Sequence, residues 1–191
     1  GLVGGSTSTD YVKLGDDVLD YGDYSGPGGA RMLLRDKRLE IAFLEVARGG
    51  ILRRGLPLTE ASGAMVTNIA ADHLGEYGVN TVEHLADAKF AVAGTLSKDG
   101  VLVLNADDEL VVRNGLKSGS RICWFSLDHN NDQIKSAKSA GNLCCWCEDG
   151  LINYFDGTSV TLVVKIADIP IAMGGAARFN VQNAMGATCL A

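Results

Sequence analysis

Short apolar runs that close on polar residues constrain this chain more than any other feature. Leu39-Glu40-Ile41-Ala42-Phe43-Leu44-Glu45-Val46 and Ala64-Met65-Val66-Thr67-Asn68-Ile69 are followed by turn signals at Arg48-Gly49-Gly50 and Ala71-Asp72-His73. Val101-Leu102-Val103-Leu104 is entered from Asp99-Gly100 and left through Asn105-Ala106-Asp107-Asp108. Runs of this kind suit strands buried on both faces of a parallel sheet. Between the second and third, Asn80 to Leu96 reads as a helix, with Asn80 and Thr81 as cap candidates and Glu83 in the first turn. Strand, helix, strand predicts right-handed crossovers and an α/β fold with a doubly wound, mostly parallel sheet. Ligands in such sheets sit outside the carboxyl ends of the strands, where Glu45, Asn68 to His73 and Asn105 to Asp108 all fall.

Burying a carboxylate, an imidazole and an ammonium without partners costs several kcal/mol. Glu45, Asn68, Asp72, His73 and Lys89 are therefore expected to serve one another, or a metal, in one site. Lys89 has Leu85 and Ala86 before it and Val92 and Ala93 after it at helical spacing, which predicts a place on the apolar stripe. Desolvation there would favour a neutral amine, nucleophilic or open to modification. The alternative is a lysine whose stem follows the core while its ammonium reaches water. The carboxylate and histidine at the strand ends favour the site.

Glu45 to Leu56, with its Ala47-Arg48-Gly49-Gly50-Ile51-Leu52-Arg53 string, Val66 to Gly75 and Ala86-Asp87-Ala88-Lys89 together resemble the Mur ligase family, in its cyanophycin synthetase branch. Gly22 to Pro27, Ala30-Arg31, Leu34-Arg35-Asp36, Ile169-Pro170 and Gly174 to Ala184 agree, and the likeness is weakest from Asn114 to Val164. It implies the P-loop-NTPase-like central domain of an ATP-dependent amide ligase. In that chemistry ATP phosphorylates a carboxylate, an amine attacks the acyl phosphate, and magnesium offsets the accumulating charge. Glu45 and His73 match magnesium ligands, and Lys89 matches a lysine that is carbamylated and helps place the metal. All three stand as the catalytic and metal-binding candidates. Asn180 and Asn183 match adenine-contacting asparagines, with Asn68 a further nucleotide candidate, and Arg48 and Asp72 are the candidates for substrate contact. Within the branch, arginine would be added to the aspartate side chains of a poly-aspartate primer. A homo-oligomer and a cytoplasmic location are expected of the whole enzyme.

Two departures shape the expected domain organisation. The loop Gly-x-x-Gly-Lys-Thr-Thr, whose amides and lysine cradle phosphates, is nowhere in this sequence. The chain also closes within the helix read over Asn180 to Leu190. Residues 1–191 are thus expected to be a single central-domain fragment, inactive alone, of a larger enzyme. Phe179 stands where many relatives carry histidine. Two other readings stay open: another Mur-type ligase, making a peptidoglycan precursor or a folylpolyglutamate, or a degenerate domain that binds polymer without turnover.

A formal charge of -6 argues against a general nucleic-acid surface, and no apolar stretch approaches the roughly 20 residues that cross a bilayer. Cys144, Cys145 and Cys147 flank Trp146 without the paired spacing of a zinc site, so free thiols on a strand are expected. Ile122 to Phe125 reads as one more sheet strand. Asn142 to Cys147, Leu151 to Phe155 and Ser159 to Ile166 read as an antiparallel annex, with hairpin turns at Glu148-Asp149-Gly150 and Asp156-Gly157. His129 to Asp132 reads as the loop leading into it, and Gly26-Pro27-Gly28-Gly29 as a flexible loop.

Overall fold

A computed structural model of the protein describes residues 1–70, 75 and 77–191. They form two compact units, a smaller one of residues 1–59, 75 and 77–80 and a larger one of 60–70 and 81–191.

In the smaller unit, β1 (Gly4–Thr7) lies antiparallel to β2 (Tyr11–Leu14), which pairs in turn with β3 (Asp17–Tyr21). Helix α1 (Pro27–Leu34) then leads to β4 (Ile41–Leu44), parallel to β1, giving the order β3-β2-β1-β4. Helix α2 (Arg48–Arg54) follows β4. The core is Val12, Leu14 and Leu33, with Tyr24, Leu39, Ala42 and Leu44 packed against it. Two expectations change here. Pro27 opens α1 at the position where its missing N–H costs nothing, so Gly28 and Gly29 are helical rather than a flexible loop. Strand β4 is covered on one face only. Ala42 and Leu44 meet the core, whereas Ile41 and Phe43 are 39% and 48% exposed.

The larger unit holds a six-stranded sheet in the order β10-β9-β8-β7-β6-β5. Strand β5 (Ala61–Val66) pairs parallel with β6 (Leu96–Asn105), β6 with β7 (Arg121–Ser126), and β7 with β8 (Cys144–Glu148). Strands β9 (Leu151–Phe155) and β10 (Val160–Lys165) continue it antiparallel. The connections are α3 (Val82–Phe90), α4 (Glu109–Gly115) and α5 (Asp132–Ser139), and α6 (Arg178–Leu190) closes the unit. The mostly parallel α/β sheet is thus present, with a second small sheet beside it in the chain.

The annex is smaller than expected. Helix α5 returns the chain to the starting edge of β7, so β8 runs parallel to it and only β9 and β10 are antiparallel. The β8–β9 turn is built as its residues predict, with Asp149 and Gly150 both at positive φ (50° and 75°), the geometry of a tight hairpin. Cys123 and Phe125 of β7, Cys145 and Cys147 of β8 and Ile152 of β9 form one core layer with Val181, Met185 and Cys189 of α6. Each fully buried large side chain there, such as Phe125 or Met185, contributes about 1.5–3 kcal/mol. All five cysteines are free and buried.

Candidate functional site

The carboxyl ends of β5 and β6 come together through one aspartate. Asp108 caps α4, its Oδ1 accepting from the amides of Leu110 (2.9 Å) and Val111 (3.0 Å). Its Oδ2 accepts from the amide of Ile69 at 2.8 Å, tying the segment that leaves β5 to the turn that leaves β6. Ile69 is buried and Asn68, just before it, is exposed. The Asn68 carbonyl accepts from the ammonium of Lys89 at 2.8 Å.

Lys89 reaches that carbonyl from α3. Thr81 caps the helix, accepting from the His84 amide at 3.2 Å. A backbone hydrogen bond at this helix start holds the exposed Glu83 carboxyl below its ordinary range. The buried residues of α3 are Leu85, Ala86 and Ala88, with Lys89 half-buried at their border. The helix is shorter than its residues predicted. It ends at Phe90 and passes into a 3-10 turn at Ala91–Thr95, where the Thr95 hydroxyl donates to the Val92 carbonyl at 2.8 Å. Val92 and Ala93 therefore do not extend a stripe beneath Lys89, and the lysine's neighbour is the β5 loop.

Beside Asp108, the Asp107 carboxylate gathers three donors. Oδ1 accepts from the buried Ser126 hydroxyl (2.5 Å), and Oδ2 from the Leu127 amide (2.9 Å) and Gln182 Nε2 (3.1 Å). Asn105, buried at the end of β6, fixes the turn by accepting from the Asp107 amide at 2.9 Å. Gln182 stands on α6 between the nucleotide candidates Asn180 and Asn183, which share a helix face at i, i+3 spacing. Asn180 Nδ2 donates to the Ile171 carbonyl at 2.7 Å, which leaves Oδ1 as its uncommitted acceptor. Asn183 is exposed, as are Phe179 (65%) and Met173 (74%) nearby in sequence.

In the smaller unit, Glu45 follows the end of β4. Its Oε2 accepts from the Thr9 amide at 3.1 Å, and its own amide bonds the Thr7 carbonyl and hydroxyl at 3.3 and 3.2 Å. Oε1 is left for another partner. Arg48 opens α2 three residues on. Asp72 and His73 lie outside the described residues. Among the described residues no group of three or more His, Cys, Asp or Glu is arranged to hold a metal ion. Nor is any described helix long and apolar enough to cross a membrane.

The structure thus joins Lys89 to Asn68, and Gln182, which lies between Asn180 and Asn183 in sequence, to the β6 turn. Sequence reasoning put Asp107 and Asp108 at the strand ends but assigned them no role, and it passed over Gln182. An aspartate directly before Glu109-Leu110-Val111-Val112 is a helix-cap signal that would have placed α4 and the Asp108 carboxylate.

Comparison with known proteins bears on the family and the fold. The chain is 39% identical over its full length to cyanophycin synthetase of Crocosphaera subtropica and 37% to that of Trichormus variabilis, and spans only about a fifth of their length (22% and 21%). A UDP-N-acetylmuramoylalanine--D-glutamate ligase of Acidobacterium capsulatum is 27% identical over 99% of the chain, which covers 34% of that protein. Crystal structure II of MurF from Acinetobacter baumannii superposes with a TM-score of 0.51 over 85% of the chain and 33% of MurF, at 20% identity, a likeness of fold. With the Mur ligase middle-domain pattern matched from residue 7 to residue 191, the chain belongs to the Mur ligase family.

Proposed function

We propose that this chain is the ATP-handling domain of an amide ligase of the cyanophycin synthetase type, which joins arginine to the side-chain carboxylate of aspartate in a poly-aspartate backbone. The observation that carries this reading is the 39% identity to a cyanophycin synthetase over the whole chain, against 27% to a D-glutamate-adding relative.

In the proposed reaction the γ-phosphoryl group passes from ATP to an aspartate carboxylate oxygen, and ADP leaves. The arginine amine attacks the acyl carbon and loses a proton, and the C–O bond to phosphate breaks. Asn180 would present Oδ1 to the exocyclic amine of adenine, with Asn183 beside it and Asn68 facing the nucleotide from the β5 loop. Arg48 offers a planar two-donor fork to a carboxylate or phosphate, and Asp72 a charge for the incoming cation.

Lys89 as an ammonium cannot ligate a cation. Carbon dioxide would turn it into a carbamate: an N–C bond forms, two protons leave the ammonium nitrogen, and one N–H remains. That N–H suffices to keep the bond to the Asn68 carbonyl, so the new carboxylate would be held in place by a contact already made. Magnesium, when bound, offsets the charge that builds up in phosphoryl transfer. Glu45 through its uncommitted oxygen, His73 and carbamylated Lys89 are each proposed as ligands to it. A cytoplasmic, homo-oligomeric enzyme is part of the same proposal.

The test is incorporation of labelled arginine into a β-aspartyl-arginine primer by the full natural gene product. ATP-dependent incorporation, absent with D-glutamate or glycine in place of arginine, is the expected result. Binding of the primer without ATP consumption would overturn the ligase reading.

A further inference from the structure

We infer that the consecutive aspartates Asp107 and Asp108 are positioning residues that divide the site between them, Asp107 setting the nucleotide helix and Asp108 setting the Lys89 loop. The inference rests on the proposed ATP-dependent reading and adds two residues to it.

Both carboxylates leave the same strand end and turn to different elements. Asp107 accepts from Gln182 of α6 at 3.1 Å while anchored on the Ser126 hydroxyl and Leu127 amide at the end of β7. The anchor is firm, because Ser126 is fully buried and its hydroxyl also meets the Asp128 carbonyl at 3.1 Å. Gln182 sits one residue from Asn183 and two from Asn180, so its bond to Asp107 fixes the rotation of α6 about its axis at that turn. Rotation decides where Asn180 and Asn183 point, and a residue takes up about 100° of a helix turn. Asp108 works on the other side. One oxygen is spent on the α4 cap, and the second, on the Ile69 amide, holds the Asn68 carbonyl that receives Lys89. Neither aspartate is asked to touch substrate.

Two substitutions separate the roles without breaking the fold. Gln182→Ala removes the α6 contact and keeps a good helix former. Asp108→Asn keeps the α4 cap, since asparagine caps as well as aspartate, but replaces one acceptor oxygen by an amide nitrogen that cannot accept from Ile69. In the full natural gene product, ATP binding by calorimetry and steady-state kinetics are measured together with thermal melting.

Gln182→Ala is expected to weaken ATP binding about three- to tenfold with kcat within about twofold, as loss of one long, solvent-exposed hydrogen bond of ordinary strength implies. Asp108→Asn is expected to lower kcat about tenfold or more with ATP affinity unchanged. Both variants should melt within a few degrees of wild type. Unchanged ATP affinity in Gln182→Ala, or parallel losses of binding and turnover in both variants, overturns the division of roles while the ATP reading stands. Wild-type protein that binds no ATP overturns the reading and this inference together.

Discussion

Lys89 Nζ donates to the main-chain carbonyl of Asn68 across 2.8 Å, so a charged group on α3 is anchored to the loop that leaves β5. That loop is itself held by Asp108 through Ile69. Lysine, loop and helix cap form one connected arrangement at the carboxyl ends of β5 and β6, the end of a parallel sheet where ligands bind.

The orientation of Asn180 predicts base selectivity. With Nδ2 committed to the Ile171 carbonyl, the free Oδ1 would, in the proposed ATP complex, accept from the exocyclic amine of adenine, where guanine carries a keto oxygen instead. ATP is expected to bind about tenfold or more tighter than GTP, and Asn180→Ala to remove most of that preference. Competition calorimetry with the two nucleotides checks it.

Gly29 predicts a packing cost. A Cβ built there would lie 2.5 Å from the Tyr24 carbonyl oxygen and 2.6 Å from Tyr24 Cβ. Gly29→Ala gains up to about 1 kcal/mol in helix propensity but forces backbone apart, and overpacking of this kind costs about 1–3 kcal/mol. Urea denaturation should show a net loss of stability, whereas the open position Gly28 should tolerate alanine.

Asp156 predicts an acid-sensitive turn. Its carboxylate accepts from the amides and hydroxyls of Thr158 and Ser159 between β9 and β10. These bonds, with the Ser159 amide foremost, hold its pKa far below the ordinary 3.8. A depressed folded-state pKa means that the stabilisation is fully present above that ordinary value and is lost as pH falls below it toward the folded value. Asp156→Ala should therefore melt at a lower temperature than wild type at pH 7, with the gap narrowing below about pH 4. Calorimetric melts across that range provide the comparison, and a gap independent of pH would contradict the account.

The thiols are expected to be inert. Burial pushes Cys147 up to about 11 and Cys144 up to about 12, and all five cysteines lie inside the core. A thiol-specific chromogenic disulfide should react negligibly with the native protein and with all five cysteines after denaturation.

Much of this could be read from the residues, and the failures have physical causes. Parallel strands announce themselves by continuous apolar runs, as Val101 to Leu104 does, and the Asp149-Gly150 hairpin by residues that accept positive φ. Helix α5 escaped notice because Asp132–Ser139 buries only Ile134 and Ala137, too few for a visible period. Strand β4 looked fully buried because Ile41 and Phe43 are apolar, yet only its other face, with Ala42 and Leu44, packs on the core. In the site, helical spacing singled out Lys89, and the family resemblance singled out Asn180 and Asn183. Hydrogen bonds between segments far apart in sequence, such as Asp107 to Gln182, leave no local pattern to read.

Lys89, held by Asn68, is proposed to carry a group essential to ATP-dependent ligation. Arginine incorporation by the full natural gene product is compared between wild type and Lys89→Ala, with and without a short-chain carboxylic acid. The account predicts loss of about a hundredfold or more in the variant, as for removal of a group that serves a metal site, and partial return when acid is added. A variant that incorporates arginine at the wild-type rate would contradict it.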